Sequence, residues 1–251
     1  MSEHITIRFF GELNDFLPLS KREASFKHQF KQAAAIKDVI ESHGVPHTEV
    51  DLIIINGQSV MFDYKIKHDD HISVYPVFAS SDISPVTHLQ PVPVGKLKYE
   101  IKFVLDVHLG RLAAYLRMLG FDTLYQNNYD DIELANISVD QQRILLTYDK
   151  RLLMRKIITH GYYVRERKPK KQLLETLKRF DLFNSFKPFS RCMSCNSEIK
   201  MIDKEEIKSH LMPRTQNDYN EFWQCSTCKK VYWKGSHYQR MQKMIKLLQS
   251  S

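Results

Sequence analysis

Two kinds of apolar period divide the chain. From His4 to Phe78, Ile5, Ile7 and Phe9 alternate with Thr6 and Arg8, the two-residue period of a half-buried strand. Ala24, Phe26 and His28 suggest a second strand, and Ala33 to Ser42 reads as a helix with Ile36, Val39 and Ile40 on one face and Gly44 just past its end. Leu52-Ile53-Ile54-Ile55 is a strand turned by Asn56-Gly57, and Ile72-Ser73-Val74-Tyr75 closes the set. From Lys102 to Arg151 the pattern changes. The apolar run Phe103-Val104-Leu105 stops on Asp106. Leu109, Leu112, Ala113, Leu116 and Leu119 then recur at helical spacing before Gly120. Thr123-Leu124-Tyr125 is a short strand, Asp131 heads a helix from Ile132 to Gln141, and the strand Ile144-Leu145-Leu146-Thr147 runs up to Asp149. Strand, helix, strand, helix, strand predicts a parallel sheet with helical crossovers.

Between these halves, Ala79 to Gly95 is rich in Ser, Pro and Val and reads as an extended linker. The chain therefore divides into residues 1–80, a linker over 81–97, an α/β core over 98–188, and a C-terminal part over 189–251. Met241, Met244, Leu247 and Leu248 predict a terminal helix packing back on the body.

Composition narrows the function. A net charge of +8 favours an anionic partner, most commonly nucleic acid. No apolar run is long enough for a membrane span and no signal-peptide pattern opens the chain, which predicts a cytoplasmic protein without a membrane partner. The four cysteines fall in two pairs, Cys192-x-x-Cys195 and Cys225-x-x-Cys228, a spacing that suits one tetrahedral, structural Zn²⁺ rather than a redox pair. Beside the second pair, Val231 to His237 interleaves aromatic and basic residues. Tyr232 and Trp233 serve either core packing or base stacking, and Lys234 and His237 are candidates for touching RNA.

In an open parallel sheet, ligands bind beyond the carboxyl ends of the strands. Asp106 and Asp149 lie there, and Asp131 opens a helix that points to the same crevice. Any one of them has an ordinary explanation as a turn residue or helix cap. Three together would repel one another unless a divalent cation, for which Mg²⁺ is suited, sat between them. Arg111, Arg117, Lys150 and Arg151 are candidates for guiding a phosphate backbone, as is the basic run from Arg165 to Lys171; Glu133 and His108 are further ionisable groups nearby.

The residues 103–113, FVLDVHLGRLA, with LRMLGFDTLY (116–125), DIELA (131–135) and RILLTYD (143–149), resemble the Mut-seven C-terminal RNase-like domain, a branch of the PIN-like nucleases. The order of elements in the first 80 residues is that of the ubiquitin-like β-grasp fold, and Ile7 to Leu13, IRFFGEL, resembles the opening of its sulfur-carrier branch. The resemblance implies an α/β PIN-like nuclease core, preceded by a β-grasp domain and followed by a zinc ribbon. It also implies metal-dependent RNA hydrolysis with Asp106, Asp131 and Asp149 as catalytic metal ligands. Two positions depart from the family's pattern: Tyr148, where Arg is usual, and Ala114, near which a basic residue is usual. A sulfur carrier needs a terminal Gly-Gly, and Val77-Phe78-Ala79-Ser80-Ser81 has none. The β-grasp domain is thus expected to fold alone and to dock a protein partner, orient RNA or stabilise the core. The alternatives to an enzyme are a non-catalytic RNA-binding or ribosome-associated module and an adaptor built on the β-grasp domain.

Overall fold

A computed structural model of the chain describes residues 3–76, 89 and 101–249. The expected linker lies outside the described residues except for Leu89, whose amide donates to the Asp51 carbonyl at 2.6 Å. The Val77–Ser81 segment, where a carrier tail would begin, also lies outside them.

The first five strands and one helix are β1 (Glu3–Phe9), β2 (Phe26–Phe30), α1 (Ile36–Ser42), β3 (Val50–Ile55), β4 (Gln58–Ser59) and β5 (His71–Pro76). They form one sheet in the order β2-β1-β5-β3-β4, with β1 and β5 parallel and the other pairs antiparallel. This is the β-grasp arrangement. Ile5, Ile7 and Phe9 alternate inward from β1 and meet Ile36, Val39 and Ile40 of α1 in one core. Asn56 and Gly57 both take positive φ, 50° and 85°, the geometry of a two-residue type I′ hairpin between β3 and β4.

The central body runs β6 (Lys102–Leu105), α2 (Gly110–Met118), β7 (Asp122–Leu124), α3 (Asp131–Asp140), β8 (Ile144–Thr147), α4 (Lys150–Leu153), β9 (Gly161–Tyr163) and α5 (Pro169–Arg179). Its four strands are all parallel, in the order β7-β6-β8-β9. The apolar runs are continuous because both faces are covered. Phe103, Leu105 and Leu146 face the core under α2 and α5, while Val104 and Leu145 face the core under α3 and α4.

The C-terminal part carries β10 (Ile199–Ile202), α6 (Lys204–Ile207), α7 (Pro213–Asp218), β11 (Phe222–Cys225), β12 (Val231–Trp233) and α8 (Ser236–Gln249). Its strands form an antiparallel sheet, β10-β11-β12. Helix α8 returns to the central body, as its sequence predicts: Ile245 is buried in the α2/α5 core, with Met241, Met244 and Leu248 packed against it. Leu247 is the exception, turned outward and 69% exposed. Gly120 marks where the body hands over to this part. Its φ is +95°, and a Cβ there would lie 2.2 Å from the Lys187 carbonyl oxygen. That close approach lets Lys187 N donate to Leu119 O and Phe189 N to Met118 O, each at 2.9 Å.

The β-grasp domain is docked on β9 rather than tethered loosely. Glu49 is fully buried. Its carboxylate accepts the Tyr163 amide at 2.6 Å and pairs with Arg165 at 3.0 Å, and Arg165 also reaches Asp15 at 3.1 Å. His47 bonds Glu41 through Nδ1 at 2.6 Å and the Ile158 carbonyl through Nε2 at 2.8 Å. Burial pushes the Glu49 carboxyl up despite Arg165 beside it. This contact corrects two expectations. Arg165 is an ion-pair partner of the β-grasp domain, not a backbone-guiding cation. Lys150 lies with its Nζ 4.8 Å from the Phe16 ring centre and 5.6 Å from that of Tyr163, half-buried at the same junction instead of facing a phosphate.

Candidate active site and metal centre

Asp106 and Asp149 sit at one edge of the sheet because of where β6 and β8 stop. Leu105 of β6 is level with Leu146 of β8, so Asp106 and Thr147 emerge side by side at the carboxyl ends of neighbouring parallel strands. Asp106 is 6% exposed. Its Oδ1 accepts the His108 amide at 2.8 Å, and its Oδ2 accepts the Tyr148 amide at 2.9 Å and the Thr147 hydroxyl. Thr147 Oγ1 in turn accepts the Asp149 amide at 2.9 Å, which couples the two acids through one hydroxyl. Asp149 caps α4: its Oδ1 accepts from Arg151 N at 2.7 Å and Leu152 N at 3.3 Å. Its Oδ2 has no hydrogen bond or ion pair among the described residues, and the side chain is exposed.

Asp131 is placed differently from its expected role as the head of the helix. Asp130 is the N-cap of α3, with a capping box completed by Glu133, whose carboxylate accepts the Asp130 amide at 3.2 Å. Asp131 is the first helical residue, and its carboxylate faces Arg155 at 3.6 Å. Glu133 is therefore a capping partner. Among the described residues, Asp106, Asp131 and Asp149 do not form a group with ligand atoms all within 4.8 Å of one another.

Beside Asp106 opens a cleft of about 600 Å³, lined by His108, Gly110, Arg111, Tyr125, Tyr148, Arg167, Pro169 and Gln172. Arg111 and the His108 ring are exposed there. The guanidinium of Arg167 lies 4.4 Å from the Tyr148 ring centre, and Tyr148 donates to the Glu166 carbonyl at 2.8 Å while meeting Gln172. At Tyr148, where the family pattern has Arg, a cation thus arrives from the chain following β9 and lies on the tyrosine face. Arg151 is exposed next to Asp149 on α4.

Arg117 is a correction. It is 3% exposed, and its guanidinium donates to four carbonyls: Thr123 at 2.8 Å, Ser194 at 2.9 Å, Met193 at 3.2 Å and Tyr125 at 3.4 Å. It ties α2 to the first cysteine turn and presents nothing to RNA. The residues that complete this tie went unnoticed in the sequence. Asp122 accepts from Arg143 and Asn196, both at 2.7 Å, and Asn196 accepts the Thr123 amide at 2.9 Å. Burial would raise the Asp122 carboxyl, but these hydrogen bonds outweigh it and hold it below the usual carboxylate range. Asn196 has φ +74°, a conformation asparagine tolerates; an Asn directly after Cys-x-x-Cys is the signal available in the sequence.

Cys192, Cys195, Cys225 and Cys228 come together with all four sulfurs within 4.8 Å of one another. Cys192 Sγ lies 3.6 Å from Cys228 Sγ and Cys195 Sγ 3.3 Å from Cys225 Sγ, and no disulfide forms. A tetrahedron with Zn–S bonds of about 2.3 Å has sulfurs a little under 4 Å apart, so the set fits zinc closely. The Tyr232 hydroxyl meets Cys192 Sγ at 3.0 Å, which places Tyr232 in support of the cluster. The Cys195 thiol is held low, because hydrogen bonds from Ser197 and neighbouring thiols outweigh its burial, while the Cys228 thiol is pushed up by desolvation and by the other three. Four thiolates share that space only if a cation is present.

A second ligand-like group, His4, His68 and Asp69, lies on the β-grasp surface. There His68 Nδ1 accepts the His4 amide at 3.2 Å, which leaves the ring proton on Nε2, toward Asp69, and closes that atom to a metal. Of the remaining predicted contacts, Lys234 pairs with Glu221 and stacks 5.1 Å from the Trp223 ring centre, and His237 is exposed in the first turn of α8. Among the described residues no helix is long and apolar enough to cross a membrane.

A four-stranded parallel sheet covered on both faces, with carboxylates at its carboxyl edge, a β-grasp domain before it and a four-cysteine ribbon after it, defines a nuclease-like α/β protein. Residues 101–245 match the Mut7-C RNAse domain and residues 2–82 match the Mut7-C ubiquitin domain, and the chain belongs to the Mut7-C RNAse family. The resemblance drawn from its residues is borne out. No curated protein matches the chain.

Proposed function

We propose that the chain is a divalent-metal-dependent ribonuclease that hydrolyses RNA phosphodiester bonds. The observation that carries this reading is the Asp106–Thr147–Asp149 edge: a buried carboxylate beside an exposed one whose Oδ2 is unengaged, next to a cleft lined with Arg111 and Arg167. Asp106 and Asp149 are the residues to hold Mg²⁺ or Mn²⁺. Asp106 has three of its roughly four acceptor sites used, which leaves one, and Asp149 has a whole oxygen. Such ions keep several waters and take few protein carboxylates, so two suffice. Asp131, held toward Arg155, is a third ligand only if it leaves that pair, which as an exposed ion pair is worth at most about 1 kcal/mol. When bound, the ion lowers the pKa of a water and neutralises phosphate charge. Arg111 and Arg167 orient the backbone from the cleft side and Arg151 from α4 beside Asp149, and the exposed His108 ring is within the cleft to exchange a proton. The four cysteines hold one structural Zn²⁺, and the β-grasp domain is a surface for a protein partner. The cytoplasm is the compartment that suits free thiols and RNA.

The competing reading, a non-catalytic RNA-binding module, has one observation behind it. Asp106 Oδ1 and Oδ2 and Asp149 Oδ1 are already used by backbone amides and Thr147, as capping residues need no metal. Incubating purified protein with total RNA while Mg²⁺ is withdrawn and restored decides between them. Magnesium-dependent fragments support the enzyme; tight binding without fragments at any Mg²⁺ or Mn²⁺ concentration supports the module.

A further inference from the structure

A second cleft lies away from the aspartates. It opens along β12, the outer strand of the ribbon, between α7, the start of α8 and the Pro188–Phe189 segment, and has a volume of about 890 Å³. Tyr219, Trp223 and Trp233 line it, with Trp233 39% exposed. The cations on its walls are Arg191, Arg214, Lys230 and Lys234, with His237 beside them, against the single carboxylate of Asp218.

We propose that this cleft binds a stretch of single-stranded RNA, stacking bases on Trp233 and Tyr219 and holding phosphates with Lys230, Arg214 and Lys234. Four observations carry it. Large aromatic faces exposed in a basic groove are the means by which single strands are held without sequence readout. Tyr219 and Trp233 have ring centres 6.5 Å apart and tilted by 50°, so they form an uneven platform rather than a closed stack. Lys230 has no carboxylate partner among the described residues, and the pairs Arg214–Asp218 and Lys234–Glu221 are surface pairs that a phosphate can displace at small cost. The outer edge of β12 pairs with no strand among the described residues, which leaves backbone amides and carbonyls to meet base edges. Gly235 is part of the design: a Cβ there would come 2.9 Å from Trp233 Nε1, so glycine is what lets the indole hold its place. A duplex does not suit the site, because its bases are already stacked on one another and show the aromatics no faces.

The inference rests on the reading of the chain as RNA-acting, and extends it: a strand held here is presented by a surface separate from the Asp106 cleft. The test uses the full chain carrying Asp149→Asn, so that no cutting consumes the probe, and measures binding of a fluorescent twelve-nucleotide oligouridylate and of an RNA duplex across a salt series. The single strand should bind more tightly than the duplex. Trp233→Ala should weaken binding about tenfold or more with the salt slope unchanged. Arg214→Ala, at a side chain 93% exposed and so harmless to folding, should reduce the slope of log K against log salt by about 0.7. Thermal unfolding of each variant reports whether it is folded. Equal binding by parent, Trp233→Ala and Arg214→Ala overturns the proposal, as does equal affinity for duplex; so does failure of the folded parent to bind the strand, which would turn attention to a peptide on the β12 edge. The two readings fail separately. If the chain with Asp149 intact cuts RNA while Trp233→Ala binds normally, the groove is removed and the nuclease kept; if the groove variants lose binding and the chain with Asp149 intact never cuts, the groove is kept and the nuclease removed.

Discussion

Arg111 and Arg117 lie six positions apart on α2 and end in opposite places. Arg111 is exposed on the wall of the cleft beside Asp106, whereas Arg117 is spent on four backbone carbonyls. Arg117→Ala strands Thr123 O inside the protein and removes the bonds to the Tyr125, Met193 and Ser194 carbonyls, and should cost about 3 kcal/mol of stability, read as a lower thermal midpoint. Arg111→Ala should leave the midpoint within about 0.5 kcal/mol of the parent and weaken RNA binding instead. The helical period held the clue: Arg117 is four residues after Ala113, on the apolar face, so its burial was legible and only its partners were not. His43 makes a second residue-level case. Burial, then Lys21 and His28, lower its pKa to about 4, and its Nε2 is buried without a hydrogen-bond partner among the described residues. The unfolded chain, with an ordinary pKa near 6.5, binds the proton more readily. Stability from this group is therefore complete above about pH 6.5 and declines as pH falls toward 4. Melting curves between pH 7.5 and 4.5 should show that decline in the parent and a shallower one in His43→Phe.

At the scale of elements, what the sequence made legible were the strands that end in a polar residue and the helices that end in glycine. Ile144–Thr147 falls where its pattern places it, and Gly120 and Gly44 both take the positive φ of a helix terminus. Asp131 was misplaced by one residue because Asp130 beside it is an equally good cap, and the capping box with Glu133 decides between them. β9 escaped notice because Gly161-Tyr162-Tyr163 is too short to show a period; only β8 beside it makes it a strand. The amphipathic α5 has a clear helix signal in Pro169 at its first position, obscured by the basic run around it. The cysteine turns were legible as a metal site, but not their attachment to β7 through Asn196, Asp122 and Arg117. That attachment changes the expected consequence of metal loss. One Zn²⁺ per chain should be found by elemental analysis. Cys225→Ser, or chelation, should unfold the ribbon and also lower the midpoint of the central body, while the β-grasp domain keeps its own transition.

For the whole molecule, the Glu49–Arg165 junction shows that the β-grasp domain is a docked part. Sequence patterns within each domain gave no sign of it, since Glu49 and Arg165 are 116 residues apart and each looks like a surface charge. A separated 1–81 fragment would expose Glu49, and a separated core would expose Arg165 and the Ile158 carbonyl. Glu49→Ala, which leaves Arg165 short of its buried partner, should cost about 3 kcal/mol and loosen hydrogen exchange at Tyr163, whose amide Glu49 accepts. The chemical step should be unaffected, because the junction lies at β9 and the α4 side rather than at Asp106.

The nuclease reading rests on Asp149, and its substitution is clean. Asn caps a helix about as well as Asp, so Asp149→Asn keeps the bonds to Arg151 N and Leu152 N through its oxygen and removes only the charge. The decisive measurement is the initial rate of cleavage of a single-stranded RNA by parent and Asp149→Asn, with Mg²⁺ removed by dialysis and added back. Dialysis is preferred to a chelator because a chelator would also attack the four-cysteine site. The account predicts Mg²⁺-dependent cutting by the parent, a fall of about a hundredfold or more in Asp149→Asn at unchanged thermal midpoint, and RNA binding that persists or tightens. Parent-like cutting by Asp149→Asn, or cutting that ignores Mg²⁺, contradicts it.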